Sequence, residues 1–210
     1  MPDLDWFNRA GMISLHQGGG SGGKKASPHR VYSLRLTVAA IQPRIWRRLL
    51  VGESMWLSRL HDAIQVSFGW YDYQTHMFSV GERRYGNPGN RDGNVIEDDR
   101  DASLADLRLG SHELLTYVYS FAEGWRVDIY VEKTMAAGKG GIYPRCLAGR
   151  RAGPPEDCGG LEGYKDMLVC LRHPETDLGR EWREWLGPKY DPEKCDLAAI
   201  NRTLKRLANR

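Results

Sequence analysis

Two histidines come closest to a chemistry-bearing arrangement. His61 lies beside the apolar stripe of a helical segment, and His76 follows the aromatic run Trp70-Tyr71-Asp72-Tyr73. An imidazole within reach of a carboxylate can move a proton at neutral pH, so His76 with Asp72 or Asp128 defines a candidate acid–base site. A histidine beside a core face is ordinarily a hydrogen-bonded structural residue, and that is the first reading of each. Two phosphate- or acyl-transfer strings dissolve on inspection. Gly19-Gly20-Ser21-Gly22-Gly23 spells GxSxG, but neither a strand before it nor a helix after it is present to strain the serine. Gly18 to Lys24 nearly spells a P-loop, but Lys25 stands where a magnesium-binding Ser or Thr is required. Both strings read as linker.

Other groups have weaker spacing. Cys146, Cys158, Cys170 and Cys195 are separated by 11, 11 and 24 residues, with no CxxC pair, so no zinc ribbon is indicated. No metal-ligand set and no cofactor are implied by spacing. Arg202, Lys205 and Arg206 share the polar side of a C-terminal helix whose apolar side is Leu197, Ile200 and Leu204. They are the candidate nucleic-acid contacts, although a charged helix face is more often simply solvated. Trp46, Trp56, Trp70 and Trp125 can stack on bases, but large rings usually fill a core.

These residues must be positioned by identifiable elements. Leu34, Leu36 and Val38 alternate with Arg35 and Thr37 at strand period, and residues 45–51 form a second strand. Leu57, Leu60, Ile64 and Phe68 mark one stripe of an amphipathic helix that Gly69 ends. Residues 77–80 read as a strand, with a return beginning near Tyr85. Residues 86–101 read as a long exposed loop, and Ser103 caps a turn over Leu104 to Leu107. Leu114 to Tyr119 and Trp125 to Glu132 pair around Gly124. After a glycine loop, the remainder is expected to be mostly helical. Tyr164–Leu171, Trp182–Leu186 and Leu197–Leu207 are the helices, the last capped by Asp196. Strands early and helices late indicate an α+β fold, with a mixed, mainly antiparallel sheet, one inserted helix and a helical C-terminal part.

Composition sets the boundaries. The 210 residues are 41% hydrophobic, enough for a core, and carry a net charge of only +3. Residues 1–30 contain Gly18-Gly19-Gly20-Ser21-Gly22-Gly23 and read as a flexible tail, leaving 31–208 as one domain. Charge is uneven. Residues 92–101 hold five acids and one arginine, and the last 22 residues hold six Lys/Arg against three acids. No apolar run reaches the roughly 18 residues of a membrane helix, and the acidic start lacks a secretory pattern, so a cytoplasmic protein with no membrane partner is expected.

Five segments in order resemble the plasmid pRiA4b ORF-3-like family, which includes insertion-element passenger proteins labelled TnpR-like. The first is Pro43-Arg44-Ile45-Trp46-Arg47-Arg48. The second is Leu60-His61-Asp62-Ala63-Ile64-Gln65, leading to Phe68-Gly69-Trp70 and His76-Met77-Phe78. The third is Tyr117-Val118-Tyr119-Ser120-Phe121 with Gly124-Trp125. The fourth begins Tyr143-Pro144-Arg145-Cys146 and continues through Gly153-Pro154-Pro155-Glu156-Asp157-Cys158-Gly159-Gly160. Tyr190-Asp191-Pro192-Glu193 and Ile200-Asn201 complete the set. The resemblance implies an α+β fold associated with plasmids or mobile DNA, without a defined reaction. Where family members tend to carry Asp-Phe-Gly-Asp and a later His, this chain has Ser120, Phe121, Ala122, Glu123 and Val127. Gln74 replaces a histidine usual before His76. Through the resemblance Glu123 joins His76, Asp72 and Asp128 as a candidate catalytic group. The expected function is a non-catalytic interaction module for nucleic acid or a mobile-element protein. The alternative is an enzyme or metal-binding protein acting on nucleic acid, or a degenerate relative of one.

Overall fold

A computed structural model describes residues 30–88, 96–110 and 113–209. The glycine-rich stretch and the tail ahead of Arg30 lie outside these residues. Eight strands form one sheet in the order β5-β4-β3-β6-β7-β1-β2-β8. They are β1 (Arg30–Val38), β2 (Trp46–Gly52), β3 (His76–Val80), β4 (Arg83–Gly86), β5 (Glu97–Asp98), β6 (Leu114–Tyr119), β7 (Trp125–Ala136) and β8 (Arg145–Arg150). Neighbours are antiparallel except β4 and β5. The helices are α1 (Leu57–Phe68), α2 (Leu104–Leu107), α3 (Gly160–Cys170), α4 (Asp177–Leu186) and α5 (Leu197–Ala208). The fold is α+β, as the order of patterns implies.

Strand alternation decides which side chains meet the helices. Leu34, Leu36 and Val38 of β1, Tyr117 and Tyr119 of β6, and Val127 and Ile129 of β7 are all buried on one face. Leu57, Leu60, Ile64 and Phe68 of α1 are buried in the same core. Because α1 turns every 3.6 residues, His61 and Gln65 flank that stripe one turn apart and are buried with it. Gly69 ends α1 at φ 79°, its N–H bonded to the Gln65 carbonyl. The opposite face carries Arg35, Thr37, Arg48, Arg126 and Asp128, with Thr37 the register partner of both Trp46 and Asp128.

Two expectations need correcting. The segment read as a loop from 86 to 101 contains β5, and its Asp99 is buried. The segment 145–150, expected among helices, is edge strand β8. Its pairing with β2 shifts register between Arg48 and Leu49, and this irregularity breaks the alternation by which a strand is recognised.

Candidate functional site

His61, near the middle of α1, is 4% exposed. Its Nε2 is 2.8 Å from Asp72 Oδ1 and its Nδ1 is 2.8 Å from the Tyr117 hydroxyl. Gln65 Nε2 donates to that hydroxyl at 2.8 Å, and the Asp72 amide donates to Gln65 Oε1 at 3.0 Å. The four residues close a ring of hydrogen bonds. These contacts are satisfied when Tyr117 accepts from Gln65 and donates to Nδ1, with Nε2–H donating to the Asp72 carboxylate. The ring fastens the 71–75 segment to α1 and β6. Asp72 has φ 58°, a left-handed conformation that aspartate tolerates better than most residues.

His76 opens β3, across from Tyr119. Its ring stacks on His61 with centroids 3.7 Å apart and planes 13° from parallel. Nε2 is 2.7 Å from Asp99 Oδ2, which leaves Nδ1 free among the described residues. Burial, then the neighbouring His61, hold the His76 pKa below the ordinary imidazole value, with the Asp99 hydrogen bond opposing them. Burial lifts the Tyr117 hydroxyl far above its usual value. Both groups are therefore neutral at pH 7.

One ligand atom from each of His61, Asp72 and His76 lies within 4.8 Å of the others. Spacing alone implied no metal-ligand set, because the three groups come from a helix, a loop and a strand. The His61 Nε2–Asp72 Oδ1 separation of 2.8 Å is that of a hydrogen bond, and two tetrahedral ligands about 2.05 Å from an ion stand roughly 3.3 Å apart, so the pair would open by about half an ångström to hold one. Asp99 behind His76 occupies the place of the carboxylate that orients a ligating imidazole at metal centres.

A second polar knot adjoins the first. Glu156 accepts from the Tyr119 hydroxyl and from the Tyr71 amide, while that hydroxyl accepts from the Tyr73 amide at 3.1 Å. Burial raises the Glu156 pKa. These contacts satisfy the backbone donors of the segment that carries Asp72.

The sequence candidates separate clearly. His76 and Asp72 share the site, but Asp72 pairs with His61, and the carboxylate on His76 is Asp99. Asp128 is excluded because it faces the other side of the sheet and pairs with Arg126 at 2.7 Å. Glu123 is excluded because its carboxylate accepts from Trp125 Nε1 and from the amides of Gly159 and Gly160, closing the N-terminus of α3. Arg202, Lys205 and Arg206 are exposed on the outer side of α5. Val127 is the register partner of Tyr117 and fully buried, so this departure from the family pattern lies beside the network. Sequence reasoning missed Gln65, Tyr117 and Asp99. Gln65 is four residues after His61 and Tyr117 alternates with Tyr119, so both had a positional signal. Asp99, inside an acidic run, had none.

Among the described residues no helix is long and apolar enough to cross a membrane. A protein of Sinorhizobium fredii (strain NBRC 101917 / NGR234), "Uncharacterized protein y4hQ", is 30% identical over 180 residues, covering 85% of this chain and 92% of its own. The crystal structure of the protein of unknown function MM3350 from Methanosarcina mazei Go1 is similar at a TM-score of 0.76 and 34% identity. That match covers 82% of this chain and 97% of MM3350. The family described as plasmid pRiA4b ORF-3-like protein matches residues 30–199, through both polar knots and most of the helical part, and the chain belongs to that family.

Proposed function

We propose that the protein binds a divalent transition-metal ion through His61 Nε2, Asp72 and His76 Nδ1. The observation that carries this reading is the convergence of two imidazoles and one carboxyl group from three elements, with Asp99 behind His76. Nitrogen and oxygen donors of this kind suit zinc, iron(II) or cobalt(II) rather than calcium. For Nε2 to hold an ion, His61 would carry its one proton on Nδ1 instead and donate it to the Tyr117 oxygen. The two rings lie in nearly parallel planes with centroids 3.7 Å apart, so His76 would have to turn to share an ion with His61. Three such ligands would leave a tetrahedral ion one open position, where it would supply a water that ionises near pH 7. This is a hydrolytic arrangement. In the test, chelator-treated protein is titrated with cobalt(II) and zinc(II). One equivalent of cobalt producing visible ligand-field bands, which zinc then displaces, is the expected result. Absence of stoichiometric uptake of either ion at pH 7.5 removes the proposal.

A second reading, nucleic-acid binding, is favoured by the sheet face opposite α1. There the Arg35 guanidinium lies 3.4 Å from the Trp46 ring centroid, and Arg48 and Arg126 share the surface. Guanidinium and indole planes of this kind track phosphates and stack on bases. Titration with single-stranded and duplex DNA at several salt concentrations tests it. A flat response at low salt discards it, and Arg35→Ala weakening binding more than Arg202→Ala identifies the sheet rather than α5 as the contact.

A further inference from the structure

Arg47 on β2 is 2% exposed. Its Nε donates to the Ser67 carbonyl at 2.8 Å, and Nη1 donates to the carbonyls of Trp46 at 2.8 Å and Arg150 at 3.1 Å. Ser67 belongs to the last turn of α1, whose carbonyls carry the negative end of the helix dipole. The Phe68 ring lies 5.1 Å from the guanidinium carbon. These contacts hold the group in place but supply no anion. No described carboxylate forms an ion pair with it, and its titratable neighbours are the thiols of Cys195 and Cys146. Burial pushes Cys146 up to about 11 and also raises Cys195, so both thiols are neutral at pH 7. Nη2 has no acceptor among the described residues. A buried guanidinium without a counter-ion is costly, and proteins ordinarily provide a partner.

Arg47 contributes to the wall of a cleft of about 520 Å³ between the end of α1, residues 152–157 and residues 185–200. A volume of this size suits a small organic ligand. Tyr71 and Tyr73, stacked at 5.7 Å, form one wall, and Trp185, 53% exposed, forms part of another. Lys189 and Lys194 line the same space, and neither forms an ion pair among the described residues. Three of the four lining acids are already engaged. Glu156 accepts from Tyr71 and Tyr119, Asp191 from the Glu193 amide and Asp196 from the Ala199 amide. These bonds leave the carboxylates charged, so the lining holds four acids against three cations, and the anion preference comes from the unpaired guanidinium of Arg47 rather than from the overall charge of the cleft.

From this geometry we infer that the cleft is a binding site for a small organic anion carrying a planar ring, its carboxylate or phosphate directed to Arg47 and its ring held against Tyr71, Tyr73 and Trp185. The cleft adjoins the His61–Asp72–His76 cluster through Tyr71, Tyr73 and Glu156, but none of the cluster's three residues lines it, and binding there does not depend on a metal in the cluster. The class has two chemical sources, aromatic carboxylates and nucleoside phosphates, and the probes separate them.

The test follows tryptophan fluorescence of the full chain, at low salt and with chelator present, during titration with benzoate, adenosine monophosphate, inorganic phosphate and uncharged benzamide. Saturable quenching by benzoate or the nucleotide is expected, with phosphate weaker and benzamide inert. Preference between the first two identifies the source. Arg47→Met is expected to reduce affinity about a hundredfold. Because that variant removes three internal hydrogen bonds and can fail to fold, Trp185→Ala and Lys194→Ala, both at surface positions, are measured by calorimetry. Each is expected to lose about tenfold. No saturation by any anion, benzamide binding as well as benzoate, or full affinity in both surface variants would overturn the assignment.

Discussion

Asp72→Asn separates a metal ligand from a structural tie. Asn keeps the side-chain shape and tolerates the left-handed backbone at φ 58°. Its amide oxygen can still accept from His61 Nε2–H, and its backbone N–H still reaches Gln65 Oε1, 3.0 Å away in the wild type. The ring of hydrogen bonds therefore survives, and only the negative charge is lost. A charge-assisted bond exceeds a neutral one by about 1 kcal/mol, and Asp72, with its side chain 44% exposed, gains less than that. The metal-free variant should melt within about 4 °C of the wild type. Ion binding responds differently, because a neutral amide oxygen is a poor ligand for zinc and cobalt. Loss of even a supporting carboxylate weakens such sites about 10–100-fold. Loss of the anionic ligand itself should reach at least about 100-fold, near 2.7 kcal/mol. Zinc affinity is read by competition with a chromophoric chelator, alongside a thermal melt of the chelated protein. Equal zinc affinity in the two proteins refutes the assignment of Asp72 as a ligand. A melting temperature lowered by more than about 10 °C refutes the argument that charge adds little to the ring.

Other perturbations probe the same packing. Tyr117→Phe leaves the buried His61 Nδ1 and Gln65 amide without their shared partner, at about 1–3 kcal/mol for each group; urea unfolding should report the sum, and an unchanged midpoint would contradict the ring. The metal-free protein should lose stability as pH falls below about 6.5. The unfolded chain takes up a proton there that folded His76 refuses, because burial and His61 hold its pKa down against Asp99, with Asp72 and Tyr117 the other polar groups facing the pair. Urea midpoints at pH 7.5 and 5.5 check the sign, and His76→Gln should shrink the difference. Gly153→Ala would put a methyl 1.9 Å from the Phe68 carbonyl oxygen, a backbone atom, so a loss of at least about 2 kcal/mol is expected in the same assay. Glu123→Gln removes a helix-terminal charge from α3 and should lower the melting temperature by a few degrees while leaving zinc affinity intact.

Elements whose side chains repeat at a fixed period were legible in the sequence; contacts made between elements were not. The stripe Leu57, Leu60, Ile64 and Phe68 located α1 to the residue, and the alternation in β1, β6 and β7 located the sheet centre. Edge strands β5 and β8 escaped, because two residues cannot show a period and a register shift erases one. The same division governs the site. Period two assigns His76 and Asp128 to faces only after the register β3–β6–β7 is known. That register makes Thr116 the partner of Asp128 and Tyr119 the partner of His76, so the two candidates face opposite sides of the sheet. Glu123 and Asp99 reverse roles for a related reason. A carboxylate beside a tight turn, as at Glu123, is readily taken up by the amides opening a helix, whereas Asp99 is carried under the sheet edge by a two-residue strand that pairs with β4. The candidate site thus lies where a loop of irregular backbone, residues 71–75, is fastened between a helix and two strands, and local propensity carries no information about such junctions.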